Sequence, residues 1–263
     1  MMKKIENLTV NKDNLNETVT DILHDMTIEQ LAHYASKFAT RGVVTGSGYE
    51  LPQSANGGKD GIFGVDTDFP VPIAMGQTWN TELMDKVGNV IGTEVRGEFD
   101  FDNPNTLVFA AVSDMRGNPL CGRYYETFSE DSFLTNCMAR AMCGGIRGKD
   151  EFYLLSQPAT KHYFGYQAEW NRLTSNNYFN KRTLMDEQLK GFYDALKSGE
   201  AIGVMTSFGG TNGIPNALSL YNAEIALPAP YHLFSISDFN NDYNLSSGLG
   251  NGFDEVYVNN FQY

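Results

Sequence analysis

Three short apolar runs in this chain end in polar residues whose types could do chemistry. Ala159 to Tyr163 carries Lys161 and His162, Ala201 to Phe208 ends near Thr206 and Ser207, and Leu233 to Phe239 includes Asp238. A carboxylate on a short side chain at the end of a stiff strand can be held at a fixed place against a reacting atom. The same Asp reads equally as a residue that begins a loop and caps a turn. Lys161 and His162 offer hydrogen-bond donors, and cations near Asp238 would favour its ionised form. Their alternative is a buried polar pair at a strand end. For Arg123 the competing use is an ion pair with Glu126, Glu130 or Asp131, and both uses are compatible. Trp170 and Tyr163 read as packing rather than as stacking platforms.

The elements that must position these residues alternate. Two short helices open the chain, the second at Thr27-Ile28-Glu29-Gln30, a capping box in which Thr27 and Gln30 satisfy each other's backbone donors. A Gly-rich stretch from Gly42 to Gly64 reads as loops around a short strand. Pro72-Ile73-Ala74-Met75 looks strand-like, and Asn80 or Thr81 then caps a helix with apolar Leu83, Val87, Val90, Ile91 and Val95. Thr106 to Val112 is a continuous apolar run, as a strand buried on both faces requires. A helix follows from about Asp131 to Gly144, a strand over Ala159–Tyr163, and a helix from Thr183 to Lys197. Ala201 to Phe208 and Leu233 to Phe239 close the series. This order means parallel βα units, in a barrel or in an open doubly wound sheet. In a barrel the chemistry sits at the strand C-termini, where the polar residues fall.

The 263 residues suffice for one large domain, and with no repeat or long linker the chain reads as a single domain over 1–263. Hydrophobic residues at 41% and aromatics at 13% supply a packed core and argue against disorder. Most of the 17 Phe and 14 Tyr must be core, although ring faces also stack on sugars. A formal charge of −13 repels phosphate backbones, which argues against nucleic acid. Cys121, Cys137 and Cys143 are odd in number and lack metal-type spacing, so they read as free thiols in a reducing compartment. The basic start at Met1-Met2-Lys3-Lys4 has no apolar region after it, and no apolar run reaches the ~18 residues of a membrane span. A cytoplasmic protein without membrane contact is the expectation.

Seven segments, in order between about residues 20 and 240, resemble glycoside hydrolase family 3. Met26-Thr27-Ile28-Glu29-Gln30-Leu31 is similar to the family's opening "MTLEEK". Asp60-Gly61-Ile62-Phe63-Gly64-Val65 is similar to "DGPxGV", and Asp68 to Met75 with Thr78-Trp79 to "ATxFPxPIxxAATW". Asn118 to Asp131, with Gly122-Arg123 and Glu126 inside it, is similar to "DPxxGRxxExxxED". Lys161-His162-Tyr163 followed by Glu169-Trp170-Asn171-Arg172 resembles "KHF…QExNR" with unchanged spacing. Val204 to Phe208 with Asn212-Gly213-Ile214-Pro215 resembles "VMxSYNxxNGxP", and Ser237-Asp238-Phe239 stands where the family has "SDW". Phe164-Gly165-Tyr166-Gln167 in place of the hexosaminidases' "PGHG" points to the glucosidase–xylosidase branch.

The resemblance implies a (β/α)₈ TIM-barrel-like domain and a retaining β-glycosidase that works through a covalent glycosyl-enzyme. It puts the nucleophile on Asp238, poised against the anomeric carbon, and the sugar contacts on Asp60, Arg123, Lys161, His162, Arg172, Met205 and Phe208. No metal or organic cofactor is implied, and the partner is a carbohydrate.

Several positions depart from the family pattern. Phe208 replaces a Tyr whose hydroxyl reaches the nucleophile, a loss of about 1.5–3 kcal/mol for one charge-assisted bond. Asp66 stands where many relatives have Arg, and Asn216 to Leu233 is unrecognisable. The chain ends at Tyr263, about 25 residues after Asp238, so the expectation is a barrel incomplete at its C-terminal end. The α/β sandwich that carries the acid/base Glu is then absent, and nothing around Glu255 supports it as a substitute. An open barrel edge invites association, which makes a homo-oligomer or a separately encoded C-terminal domain the expected partner. A non-catalytic sugar-binding barrel and one half of a split glycosidase are the alternatives.

Overall fold

A computed structural model describes residues 10–30, 67–97, 106–115, 117–216 and 219, and the backbone of 3–4, 49–50, 234–237 and 255–257. Asp60, Asp66 and Asp238, and the side chain of Glu255, lie outside the described residues. The Gly42–Gly64 stretch is described only as the backbone of 49–50.

Helix α1, Leu15–Asp25, opens the described chain after a short strand β1, Lys3–Lys4, that pairs in parallel with β2, Tyr49–Glu50. The capping box forms as its residue types require: Thr27 N donates to Gln30 Oε1 at 2.8 Å, and Gln30 N donates to Thr27 Oγ1 at 3.1 Å.

Pro72–Gly76 is a helix, α2, and not the strand its apolar run suggests. Pro72 occupies the first turn, where its missing N–H costs nothing. Helix α3 spans Thr81–Gly97, capped by Asn80 Oδ1 accepting from Leu83 N at 2.9 Å. It buries Met84, Val87, Ile91 and Val95 on one stripe and leaves Leu83 and Val90 outside.

Strand β3, Leu107–Val108, is short, and the Thr106–Val112 run continues beyond it only through an isolated bridge from Val112 to Lys161. Helix α4, Ser132–Arg147, is capped by Asp131, whose carboxylate accepts from Leu134 N at 2.7 Å. Strand β4, Gln157–Tyr163, comes next, followed by the short β5, Asn176–Asn177. The expected helix up to Lys197 is divided into α5, Lys181–Thr183, a π-turn over Leu184–Gln188 and α6, Lys190–Lys197. Strands β6, Gly203–Thr206, β7, Gly210–Thr211, β8, Ile214–Pro215, β9, Phe234–Ser237, and β10, Glu255–Tyr257, complete the order.

The main sheet runs β10-β9-β6-β4-β3, with every pair parallel. Its spatial order therefore follows chain order without reversal. Right-handed crossovers between neighbours taken in that sequence put the helices on one side, as in a barrel wall, whereas a doubly wound sheet reverses direction. Among the described residues the strands form this open five-stranded sheet, the separate β1–β2 pair and a small β5-β7-β8 sheet, and they do not close into a barrel.

Alternation along the strands sorts the side chains between two faces. Val108, Ala110 and Val204 join the large core with Met84, Ile91, Met138, Met142, Ile146 and Phe192 of the covering helices. Leu107, Phe109, Ala159 and Met205 form a smaller cluster of their own. Helices α3 and α4 touch backbone to backbone: a Cβ on Gly88 would lie 2.2 Å from Met142 O, and one on Gly145 2.1 Å from Asp85 O. A side chain at either glycine would force the two helices apart.

Candidate active site

The C-terminal ends of β3, β4 and β6 lie side by side, so the residues that leave each strand gather at one edge. Lys161 is opposite Met205 in the β4–β6 register, and its backbone reaches the other neighbour as well. Lys161 N donates to Ala111 O at 3.1 Å, and Ser113 N donates to Lys161 O at 2.9 Å. The register then slips between Lys161 and Tyr163, which re-aims the residue between them, His162. Lys161 and His162 are both buried, at 5% and 2% exposure.

Arg123 arrives from the loop between β3 and α4. Gly122 before it is left-handed (φ 88°), and a Cβ there would come within 3.1 Å of Glu169 Cβ. A glycine is therefore needed for the arginine to enter beside the 165–175 loop. That loop is tied on by Glu169 N donating to Cys121 O at 2.8 Å.

The charged groups then pair in a chain. Arg123 grips Glu126 with two bonds, Nε to Oε1 at 2.7 Å and Nη2 to Oε2 at 2.6 Å. Of the three carboxylates the sequence offers as partners, Glu126 takes this role. Glu130 instead accepts from the Tyr124 hydroxyl, and Asp131 caps α4. Burial acts against the Arg123 charge, but Glu126, with Glu169 and Asp114 further off, outweighs it and holds the guanidinium pKa above the ordinary arginine value. Arg123 Nη1 faces His162 Nε2 at 3.4 Å and Glu169 Oε2 at 3.9 Å. The other oxygen of Glu169 forms an ion pair with Arg172 Nη1 at 3.1 Å, and the Arg172 guanidinium lies 4.8 Å above the Phe208 ring.

Four of the residues singled out in the sequence, Arg123, His162, Arg172 and Phe208, are thus linked by contact. Lys161 adjoins them in the chain. Met205 stands opposite Lys161 but is packed with Leu107, Phe109 and Ala159. Asp238 directly follows β9, whose Ser237 pairs with Thr206 of β6.

Ser207 and Asn216 brace the same edge. Ser207 Oγ and Asn216 Nδ2 both donate to Phe164 O, at 2.8 and 2.7 Å. Tyr163 is fully buried, as a packing residue should be. Trp170 is not: it is 75% exposed, because the loop that carries it is anchored by Glu169 and Arg172 and leaves the indole outside.

Asp114 went unnoticed in the sequence. It is buried, and its Oδ2 lies 2.8 Å from His162 Nδ1. It ends the Thr106–Val112 apolar run as Lys161 and Asp238 end theirs, and that shared position was the available signal. A separate cavity of about 520 Å³ lies among the outer helices, lined by Asp85, Cys137, Arg140, Lys149 and Glu200, and shares none of these residues.

Residues 3–224 match the model of the glycosyl hydrolase family 3 N terminal domain. The chain belongs to glycosyl hydrolase family 3. Among family members it is 28% identical over 204 residues to a beta-glucosidase of Rhizobium radiobacter, covering 74% of this chain and 24% of that one. It is 30% identical over 179 residues to an exo-1,4-beta-xylosidase of Emericella nidulans, covering 64% of this chain and 21% of the relative. The chain thus spans about a quarter of the length of these curated relatives. Beta-glucosidase 3B of Thermotoga neapolitana, solved with glycerol, superposes with a TM-score of 0.64 at 26% identity, over 78% of this chain and 29% of that one. A family 3 exo-beta-xylosidase solved with a xylobiose aziridine probe superposes with a TM-score of 0.76 at 21% identity, over 91% of this chain and 35% of that one. The second likeness concerns the fold. Among the described residues no helix is long and apolar enough to cross a membrane.

Proposed function

We propose that this chain is the glycone-binding barrel half of a retaining β-glycosidase that acts on β-glucosides or β-xylosides. The observation that carries this reading is the linked set Arg123–His162 and Arg123–Glu169–Arg172–Phe208 at the C-terminal edge of a parallel sheet whose strands follow chain order. Such an edge presents several donors to a ring of hydroxyls, and each guanidinium is already paired with a carboxylate. The five described strands are then part of a (β/α)₈ wall.

In this reading Asp238, at the end of β9, attacks the anomeric carbon and forms a glycosyl-enzyme. Asp60, Arg123, Lys161, His162 and Arg172 hold the sugar, with Met205 and Phe208 behind it. A second carboxyl about 5–5.5 Å from the nucleophile protonates the leaving oxygen and then activates water. We assign that carboxyl to a C-terminal domain, joined or separately encoded. General acid catalysis is typically worth 10²–10⁴-fold, so the chain by itself is a slow enzyme on ordinary glycosides.

A second reading, sugar binding without turnover, draws on Phe208. Its ring serves as a platform for Arg172 and has no hydroxyl to offer a nucleophile. Incubation with 2,4-dinitrophenyl β-glucoside and β-xyloside separates the two, because this leaving group needs little protonation. The expected result is a covalent sugar adduct in the mass spectrum of the wild type and none in Asp238→Ala. A folded wild type with neither adduct nor dinitrophenol release rules out the catalytic reading.

A further inference from the structure

We propose that Asp114 is a positioning residue that fixes His162 as a hydrogen-bond acceptor, so that His162 and Arg123 together read a sugar hydroxyl. The inference rests on the glycosidase reading for the identity of the ligand, but not for the state of the histidine. An ionised carboxylate only accepts, so in the 2.8 Å contact with Asp114 Oδ2 His162 Nδ1 carries the proton and donates. A guanidinium only donates, so the 3.4 Å contact with Arg123 Nη1 requires a bare His162 Nε2. The two neighbours select one tautomer from opposite sides. A second proton on the ring would set donor against donor at Arg123.

The ring has little freedom to escape this choice. Tyr166 stacks on it with centroids 4.9 Å apart and planes 29° apart. Asp114 is held in turn, because the Thr127 hydroxyl donates to its backbone carbonyl at 2.6 Å. Thr127 follows Glu126, which grips Arg123. The contacts thus close a circuit through Asp114, His162, Arg123, Glu126 and Thr127, and Asp114 is the member that sets the histidine's proton.

An adjacent donor and acceptor suit a group that both accepts and donates. A hydroxyl that enters between them accepts from an Arg123 N–H and takes the place of Arg123 as the donor to His162 Nε2. A carboxylate, a phosphate dianion or a methyl ether cannot give the second bond. The pair therefore distinguishes a free sugar hydroxyl from an oxidised, phosphorylated or etherified one, which a cluster of cations alone would not do.

The test is ring-nitrogen NMR on the full chain with ¹⁵N-labelled histidine. The chain has four histidines, so His162→Gln identifies the signal. In the wild type His162 is expected to be protonated at Nδ1 and bare at Nε2. Asp114→Asn, whose amide oxygen still accepts, is expected to keep that pattern. Asp114→Ala, shown to be folded by circular dichroism, removes one of the two selecting contacts and leaves that of Arg123, so a measurable share of the proton, not all of it, is expected to move to Nε2, with glucose or xylose binding weakened at least tenfold. A wild-type ring protonated at Nε2, or an alanine variant with the wild-type pattern, overturns the assignment. If Asp114→Ala does not fold, Asp114→Leu and the wild-type spectrum alone still decide it, since the wild-type tautomer is itself the prediction. Titration with glucose, xylose and glucuronic acid tests the ligand separately. A shift of the His162 Nε2 signal by the neutral sugars supports the hydroxyl reading. Silence towards all three, with the expected tautomer, overturns the sugar site while the hold of Asp114 on the ring stands.

Discussion

On the helix side of the sheet, α3 and α4 meet backbone to backbone at Gly88 and Gly145, and the residues between them are apolar and fully buried. At the C-terminal edge the same strands end among paired charges, where Arg123, Glu126, His162, Asp114, Glu169 and Arg172 contact one another through side-chain tips. The first region is defined by the absence of atoms, the second by the presence of partners. Each is therefore fragile in its own direction: one cannot accept an added methyl, and the other cannot lose a carboxylate. Dispersion contacts at close packing leave no room for exchange, whereas polar tips can exchange one partner for a hydroxyl.

The comparison breaks most visibly on the helix side. Gly145→Ala places a Cβ about where Asp85 O stands, and backbone cannot step aside as a side chain can. Overpacking typically costs about 1–3 kcal/mol, and this site should reach the upper end despite the ~1 kcal/mol by which Ala favours a helix. Urea unfolding measures it; an unchanged midpoint would show that α3 and α4 slide apart freely.

At the edge, Glu126→Gln leaves the Arg123 charge in place and removes its carboxylate, with little solvent to compensate, since the side chains are 19% and 6% exposed. A loss of about 2 kcal/mol in stability is expected from the charged bonds. Glucose affinity, followed by tryptophan fluorescence or calorimetry, should fall by about tenfold or more as Arg123 swings away, about 1.4 kcal/mol. Retained affinity with lost stability would mean that Glu126 holds the loop rather than the arginine.

The smallest effect sharpens the contrast. Phe208→Leu keeps an apolar floor under Arg172 but removes the ring face of a side chain that is itself buried, at 7% exposure; the cation–π contact is worth about 0.5–2 kcal/mol. A few-fold loss of sugar affinity with a small fall in melting temperature is expected, and a large fall with unchanged affinity would make Phe208 a packing residue alone.

The parallel order of the strands was legible because apolar runs report on it directly. Lys161 and His162 stood out as polar residues at a strand end, whereas their proposed role, and that of Arg123 and Arg172, came from the resemblance to the family's motifs. The structure brings Arg123, His162 and Arg172 into one chain of contacts. What the sequence misstated has physical causes. Pro72 to Met75 is too short for its period to separate helix from strand, and the proline that tips it towards helix also occurs at strand ends. Trp170 was assigned to the interior on hydrophobicity, but loop anchors at Glu169 and Arg172 decide where its ring lies. Asp114 was missed because a carboxylate beside an apolar run looks like a turn residue until the histidine that needs it is placed. Barrel closure is a property of register around the whole ring, and strand count in a sequence does not fix that.

The circuit that joins Asp114 to Thr127 has a consequence for how this edge of the sheet can vary. The Thr127 hydroxyl donates to the Asp114 carbonyl, so the segment that carries Arg123 and Glu126 begins and ends at one place. The segment is a cassette: its arginine, the partner of that arginine and the residue that sets the neighbouring histidine all travel together. Recombination at its two ends would exchange Arg123, Glu126 and the carboxylate that faces His162 together, while the glycine-pressed helices keep the receiving frame the same.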